Sequence, residues 1–156
     1  MIGLYELVKW IHVLSATILF GLGMGTAFYM LMAWRSGRPV LAAGIGRLVV
    51  RADWIFTGTS GVVQPVSGIA LILLAGWDPW SGWLVATYLL YALAFACWVP
   101  VVVLQIRATR LAEQAEAAGT PLPEAYHRAM RLWFTLGWPA FIALMAVFLL
   151  MVGKPG

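Results

Sequence analysis

Residues 10–34 read WIHVLSATILFGLGMGTAFYMLMAW, a stretch that contains no Asp, Glu, Lys or Arg. About 20 consecutive apolar residues are enough for a helix to cross the hydrocarbon core of a bilayer. Three further stretches, residues 54–77, 79–106 and 132–153, lack the same four residue types. The chain is therefore predicted to cross a membrane four times, and this pattern decides the fold.

The overall composition agrees with a membrane protein. Of the 156 residues, 63% are hydrophobic and only 10% are charged, and the mean hydropathy is +0.90. Soluble domains carry roughly 25% charged residues. The composition excludes a soluble enzyme, a nucleic-acid-binding module and a disordered chain. We predict an all-α integral membrane protein, a single up-down four-helix bundle over residues 1–156. Its spans are expected at about residues 4–34, 53–75, 83–106 and 132–152.

The basic residues predict how the bundle is oriented. Eight of the ten Lys and Arg residues lie in two connecting segments, 35–52 and 107–131. Loops rich in Lys and Arg stay in the cytoplasm. Both segments are therefore predicted to be cytoplasmic loops, with the amino and carboxyl ends outside. The net charge of +4 is explained by this topology, so the bilayer is the expected partner and nucleic acid is not.

His12 is the main candidate for a functional residue. It lies inside the first predicted span, where Lys9 at the boundary is the only other basic group. An ionisable side chain within a membrane is a candidate functional site, because its burial in hydrocarbon is costly. Imidazole is the commonest metal ligand among side chains, and histidine is a usual axial ligand of heme iron. The alternative is a structural histidine bonded to a neighbouring helix.

Other polar or small residues are predicted to surround His12. At 100° per residue, Gly23 lies on the same helix face as His12, and Ser15 and Lys9 flank that face. Gln64 and Tyr91 are expected at a similar depth in later spans. No second axial ligand is evident, so His12 of a second subunit and an open coordination position both remain possible. His127, the other histidine, is interpreted as a solvated residue at the cytoplasmic interface.

Two further patterns concern helix packing and ligand binding. Gly21 and Gly25 form a small-xxx-small pair, which is typical of close contact between membrane helices. The segment 57–64, TGTSGVVQ, is unusually polar for a membrane span. Its hydroxyl groups either bond to neighbouring helices or line a ligand cavity or proton path. Cys97 is the only cysteine, so the chain has no internal disulfide.

Nearly the whole chain resembles an uncharacterised family of predicted bacterial integral membrane proteins. The resemblance is carried by Lys9–Leu14 (KWIHVL), Ala52–Thr57 (ADWIFT), Gln64–Pro65, Trp98–Val102 (WVPVV) and Gly137–Phe141 (GWPAF). This family brings no established activity. The resemblance implies a multi-pass protein of the bacterial inner (plasma) membrane.

More distantly, Lys9-x-x-His12 in the first of four spans looks like the HemJ-type protoporphyrinogen oxidases and the CopD-like copper-resistance proteins. In the HemJ-type members the histidine of the first span is implicated in binding heme b. That resemblance assigns the role of heme ligand to His12, with Lys9 as its basic neighbour. HemJ-type proteins also use a lysine in a later span, and residues 83–106 contain none. The resemblance therefore extends to heme binding and not to porphyrinogen oxidation.

The sequence leads to one main functional hypothesis and two alternatives. The main hypothesis is a b-type heme protein with His12 as axial and metal ligand, serving electron transfer or acting as a membrane oxidoreductase. Its cofactor site is predicted to comprise His12, Lys9, Ser15, Gly23, Gln64 and Tyr91. The alternatives are a cofactor-free accessory or assembly subunit of a membrane complex, and a small transporter that uses the polar segment 57–64. A homo-oligomer or a partner in a membrane complex is expected in each case.

Overall fold

The computed structural model describes residues 2–154, which form helices joined by short connections. The α-helices are α1 (Leu4–Ser36), α2 (Pro39–Ala52), α3 (Gly58–Ala75), α4 (Gly82–Ala118) and α5 (Glu124–Gly153). One π-helical turn, Asp53–Thr57, joins α2 to α3. Helix α1, the continuous segment Pro39–Ala75, helix α4 and helix α5 are each long and apolar enough to cross a membrane. The predicted all-α fold with four spanning helices is confirmed.

Glycines mark the ends of three helices. Helices α1, α3 and α4 are followed by Gly37, Gly76 and Gly119, each with a φ between 64° and 67°. This left-handed conformation is readily adopted only by glycine, and it turns the chain away from the helix axis. Pro39 then begins α2 at a position where a missing N–H costs nothing.

The two segments predicted to lie on the cytoplasmic side are largely helical, as the helical spacing of their charged residues indicates. Within 35–52 and 107–131, only residues 37–38 and 119–123 lie outside a helix. Helix α2 buries Ala42, Ala43 and Val49, and it continues into α3 through the π turn without a break. Arg47 and Arg51 lie on the exposed face of α2, opposite these buried residues. The segment therefore has the polar composition of a loop but the residue spacing of an amphipathic helix.

The helices pack as two pairs, and α2 joins these pairs at one end of the bundle. Helix α1 packs against α3, and α4 packs against α5. Helix α2 contacts both α1 and α4 and so joins the pairs at the end of the bundle that carries the arginines, which we name the basic end. Helices α3 and α4 meet only through side chains, and no pair of their Cα atoms lies within 8 Å. The middle of the bundle is therefore less closely packed than its ends.

Two buried clusters close the ends of the bundle. At the basic end, residues of α1, α2, α4 and α5 surround the fully buried side chains of Met30, Tyr126 and Met130. At the opposite end, Ile72, Trp83 and Leu84 form a smaller cluster. Most other large apolar side chains of the spanning helices are exposed on the surface of the single chain, as expected for helices in contact with lipid.

The expected close packing at Gly21 and Gly25 does not occur within the chain. A Cβ atom built at either glycine would meet no other atom within 4 Å. The closest approach of helices at a glycine is instead at Gly46 of α2, where a built Cβ would lie 2.5 Å from Thr109 Oγ1. The Thr109 hydroxyl also donates to the carbonyl of Gln105 at 2.8 Å, so it is held in place.

The contact between Gly46 and Thr109 leads to a stability prediction. We expect Gly46→Ala to lower the free energy of unfolding by about 1–3 kcal/mol, because the added methyl group overpacks the interface between α2 and α4. Gly44→Ala is the matched control, since a Cβ there meets only Arg47 Nη2 at 4.0 Å. It should stabilise the helix by about 0.5–1 kcal/mol. Unfolding titrations in mixed micelles would measure both changes, and equal effects would contradict the packing at Gly46.

Candidate functional site

His12 lies on the face of α1 that packs against α3. Its ring contacts Gly68, where a built Cβ would be 3.4 Å from His12 Cε1. Gly68 therefore provides the space in which the imidazole lies between the two helices. The ring is partly exposed, so it is held at the edge of the helix pair and not enclosed within a core.

The hydrogen bonds around Ser67 favour the tautomer of His12 that carries its proton on Nδ1. The Ser67 hydroxyl donates to the carbonyl of Val63, with an O···O distance of 2.6 Å. The same oxygen lies 2.8 Å from His12 Nδ1. Because the serine proton is used toward Val63, the serine oxygen accepts the Nδ1 proton. The neutral ring then carries its lone pair on Nε2, which has no hydrogen-bond partner among the described residues.

Gln64 and Ser15 complete the network and hold α1 against α3. The Gln64 Nε2 group donates to the carbonyl of His12 at 2.7 Å and to Ser15 Oγ at 2.6 Å. Ser15 Oγ in turn donates to the carbonyl of His12 at 3.1 Å. Both protons of the amide are therefore engaged on α1. The backbone and the side chain of His12 are fixed by separate residues of α3, and we name His12, Ser15, Gln64 and Ser67 the histidine network.

The structure brings together only part of the predicted cofactor site. His12, Ser15 and Gln64 meet in the histidine network, as the sequence suggested. Lys9 is exposed, and its Nζ lies 5.9 Å from the centroid of the Tyr5 ring, so it does not join the network. Gly23 and Tyr91 line a separate cavity in the middle of the bundle. The Tyr91 hydroxyl donates to the carbonyl of Gly61 at 2.5 Å, which ties α4 to α3.

This central cavity lies between the two helix pairs and has a volume of about 860 Å³. Leu19 is the lining residue of α1 nearest the amino end, and it lies seven positions after His12. At 1.5 Å per residue, His12 therefore lies about 10 Å along the helix from the cavity. The histidine network and the central cavity are two distinct sites.

A second polar network was missed by the sequence analysis. The buried Asp53 carboxylate accepts from the Thr57 hydroxyl at 2.9 Å and from Gln105 Nε2 at 2.6 Å. Trp133 Nε1 donates to Gln105 Oε1 at 3.1 Å. We name Asp53, Thr57, Gln105 and Trp133 the aspartate network. The sequence predicts Asp53 at the boundary of the second span, whereas the π turn directs its side chain into the bundle. A carboxylate next to a long apolar stretch is the one feature of the sequence that could have indicated this network.

His127, which the sequence suggested to be a solvated residue of the cytoplasmic interface, is partly exposed and also bonds to another helix. Its Nδ1 accepts a hydrogen bond from Trp34 Nε1 at 3.0 Å, and the ring is partly buried. The physical reason is that α1 extends far enough to bring Trp34 beside the start of α5. His127 and His12 lie near opposite ends of α1, so within one chain they do not share a ligand.

The donor chemistry restricts what the histidine network could bind. Among residues 2–154, no three His, Cys, Asp or Glu side chains come together as a metal-binding group. The network offers one nitrogen, Nε2 of His12, because the other ring nitrogen is already bonded to Ser67. A metal ion bound by side chains alone needs three or four ligands. A heme, whose porphyrin supplies four nitrogens, can be held by one axial histidine.

The fold and these two networks define a four-helix integral membrane protein with an intramembrane histidine and a separate internal cavity. The chain belongs to the family described as "Predicted integral membrane protein (DUF2269)", whose model matches residues 6–155. This confirms the resemblance to a family of membrane proteins without an assigned activity. No curated protein and no solved structure matches the chain.

Proposed function

We propose that this protein binds heme b with His12 Nε2 as an axial ligand and serves one-electron transfer in the membrane. The observation that carries the proposal is the hydrogen bond between His12 Nδ1 and Ser67 Oγ at 2.8 Å. Metal-bound histidines nearly always donate their other ring N–H to a neighbouring acceptor, which fixes the tautomer and the ring orientation. Ser67 fulfils that role here, because its own proton is committed to Val63.

The residues around His12 fit an axial ligand in two respects. The nitrogen that remains free, Nε2, is one that commonly bonds iron, and Gly68 leaves the room that the imidazole ring itself occupies beside α3. Heme b, when bound, supplies a reversible one-electron couple at its iron. The protein would supply Nε2 of a neutral imidazole as an electron-pair donor. The bond to Ser67 keeps the ring from rotating, and the bond from Gln64 fixes the backbone of His12.

The location of His12 also bears on where the porphyrin would lie. Because His12 does not line the central cavity, the proposal does not place the porphyrin there. It assigns the heme to the end of the bundle that carries both termini. Gly23 and Tyr91, which line that cavity, therefore have no role in holding it, whereas His12, Ser15 and Gln64 belong to this site and Lys9 lies at the same end of α1.

We further propose that the protein resides in the bacterial plasma membrane as part of a homo-oligomer or larger complex, with the basic end in the cytoplasm. The clustering of eight basic residues in segments 35–52 and 107–131 supports this orientation. The open space around Gly21 and Gly25 supports an oligomer, because a small-xxx-small pair without a partner in its own chain is suited to a helix of another.

An absorption spectrum of the purified protein tests the heme proposal. Protein expressed with adequate heme supply and extracted in mild detergent should show a Soret band and, on reduction, the sharp α-band of a b-type heme. Colourless protein would contradict the proposal. Colourless protein that is purified with a larger complex would favour the accessory-subunit alternative, and flux in liposomes that is lost in Gln64→Leu would favour a transporter.

A further inference from the structure

The central cavity combines an aromatic wall with one acidic group. Rings from all four spanning segments line it, among them Phe20, Trp54, Trp98 and Trp138. Among residues 2–154, Asp53 is the only acidic residue on the wall, and no Lys, Arg or His lines the cavity. At about 860 Å³ the cavity has the size of sites that enclose small organic molecules, which range over about 300–1,000 Å³.

The Asp53 carboxylate has hydrogen bonds but no opposite charge. Its side chain is buried and accepts from Thr57 and Gln105, which use two of the roughly four positions at which a carboxylate can accept. None of the salt bridges found among residues 2–154 involves Asp53. A buried charge without a counter-charge is costly. A cation that enters the cavity would offset that cost.

The aromatic wall would attract the same kind of ligand. The faces of Trp, Tyr and Phe rings carry negative electrostatic potential, so they attract cations, and they also bury apolar groups. A small inorganic cation would leave most of the cavity unfilled. A cation with large apolar substituents would satisfy the aspartate and fill the space among the rings.

The cavity is accessible from the lipid phase. No Cα atom of α3 lies within 8 Å of one in α4, and the lining side chains of Trp54 in the π turn, Val62 in α3 and Phe95 in α4 are more than half exposed. A molecule dissolved in the bilayer could therefore enter sideways. An ion that is strongly hydrated would not reach the cavity by this route, because it does not dissolve in hydrocarbon.

We propose that the central cavity is a binding site for lipophilic organic cations, with Asp53 as counter-ion and the surrounding aromatic rings as the cage. Gln105 and Thr57 position the carboxylate, and Trp133 holds Gln105 in the orientation that donates to it. The site is independent of the heme proposal, because it shares no residue with the histidine network.

Equilibrium dialysis with two probes of equal shape tests this proposal. Tetraphenylphosphonium and tetraphenylborate have nearly the same size and apolar surface but opposite charge. The purified full-length protein should bind the cation at least tenfold more tightly than the anion. Asp53→Asn should remove that preference, while Asp78→Asn, which changes an acid in the loop between α3 and α4, should leave it intact.

Further variants keep the test decisive if Asp53→Asn does not fold. Ala94 lines the cavity and is buried, so Ala94→Trp should fill it and weaken cation binding at least tenfold while Asp53 is retained. His12→Ala should bind the cation as the wild type does, which separates this site from the heme site. Equal binding of both probes, or cation binding unchanged in folded Asp53→Asn, would overturn the proposal and indicate an apolar cavity filled by lipid chains.

Discussion

Replacing His12 with alanine is expected to remove the heme absorption bands completely. The variant loses the imidazole nitrogen that the histidine network offers to iron, and the other histidine, His127, lies near the opposite end of α1 beside Trp34. Heme content per chain, measured as the pyridine hemochromogen, should fall at least tenfold relative to the wild type. Size-exclusion profiles should stay similar, because the backbone contact of Gln64 with α1 does not need the imidazole.

His127→Ala is the matched control for this experiment. His127 is the other histidine of the chain, and its Nδ1 is occupied by Trp34 near the basic end. Its removal should leave the heme spectrum unchanged. Loss of the Soret band in His127→Ala but not in His12→Ala would show that the wrong histidine has been assigned.

The second large effect is expected in the buried cluster at the basic end. Met130 of α5 is 0% exposed and packs among residues of four helices. Met130→Ala should lower the free energy of unfolding by about 2–5 kcal/mol, because truncation of an enclosed side chain leaves a cavity. The change would be measured by unfolding titrations in mixed micelles.

Met145 on the same helix provides the control, since it is 49% exposed on the surface that faces lipid. Met145→Ala removes the same atoms without forming an enclosed cavity, so its effect should stay within about 0.5 kcal/mol. If both substitutions destabilise the protein equally, the cluster at the basic end does not hold the helix pairs together as described.

The spanning helices could be predicted because lipid imposes a simple rule on the sequence. A helix in hydrocarbon must exclude charges over about 20 residues, and the four uncharged stretches record that requirement directly. The ends of α1 and α4 could be predicted for an equally local reason, the glycines at positions 37 and 119. Helix α2 was harder to predict, because its arginines and its short length are also typical of a loop.

The contacts between helices could be predicted only in part. Gln64 and Ser15 were expected near His12 because helix depth can be counted along each span. The hydrogen bond from His12 to Ser67 depends on how α1 and α3 are rotated about their axes, and no local pattern determines that rotation. Tyr91 and Gly23 line the central cavity because of the rotation of α4 and α1 about their axes, which likewise no local pattern determines.

The aspartate network shows a further limit of local patterns. Asp53 stands where an uncharged stretch begins, which is the usual position of a solvated boundary residue. The π turn over Asp53–Thr57 changes the direction of its side chain, so that Gln105 and Trp133 from two other helices enclose it. π-helical turns occur frequently at functional sites, yet no feature of the sequence ADWIFT indicates one.

Pulsed EPR of the ferric protein would reveal whether His12 Nε2 is bonded to iron. In a His127→Ala background His12 is the only histidine left in the chain, so labelling with ¹⁵N-histidine marks a single ring. The account predicts a strong ¹⁵N hyperfine coupling from a directly bound imidazole nitrogen, beside the ¹⁴N couplings of the porphyrin. A heme signal without that ¹⁵N coupling would contradict it.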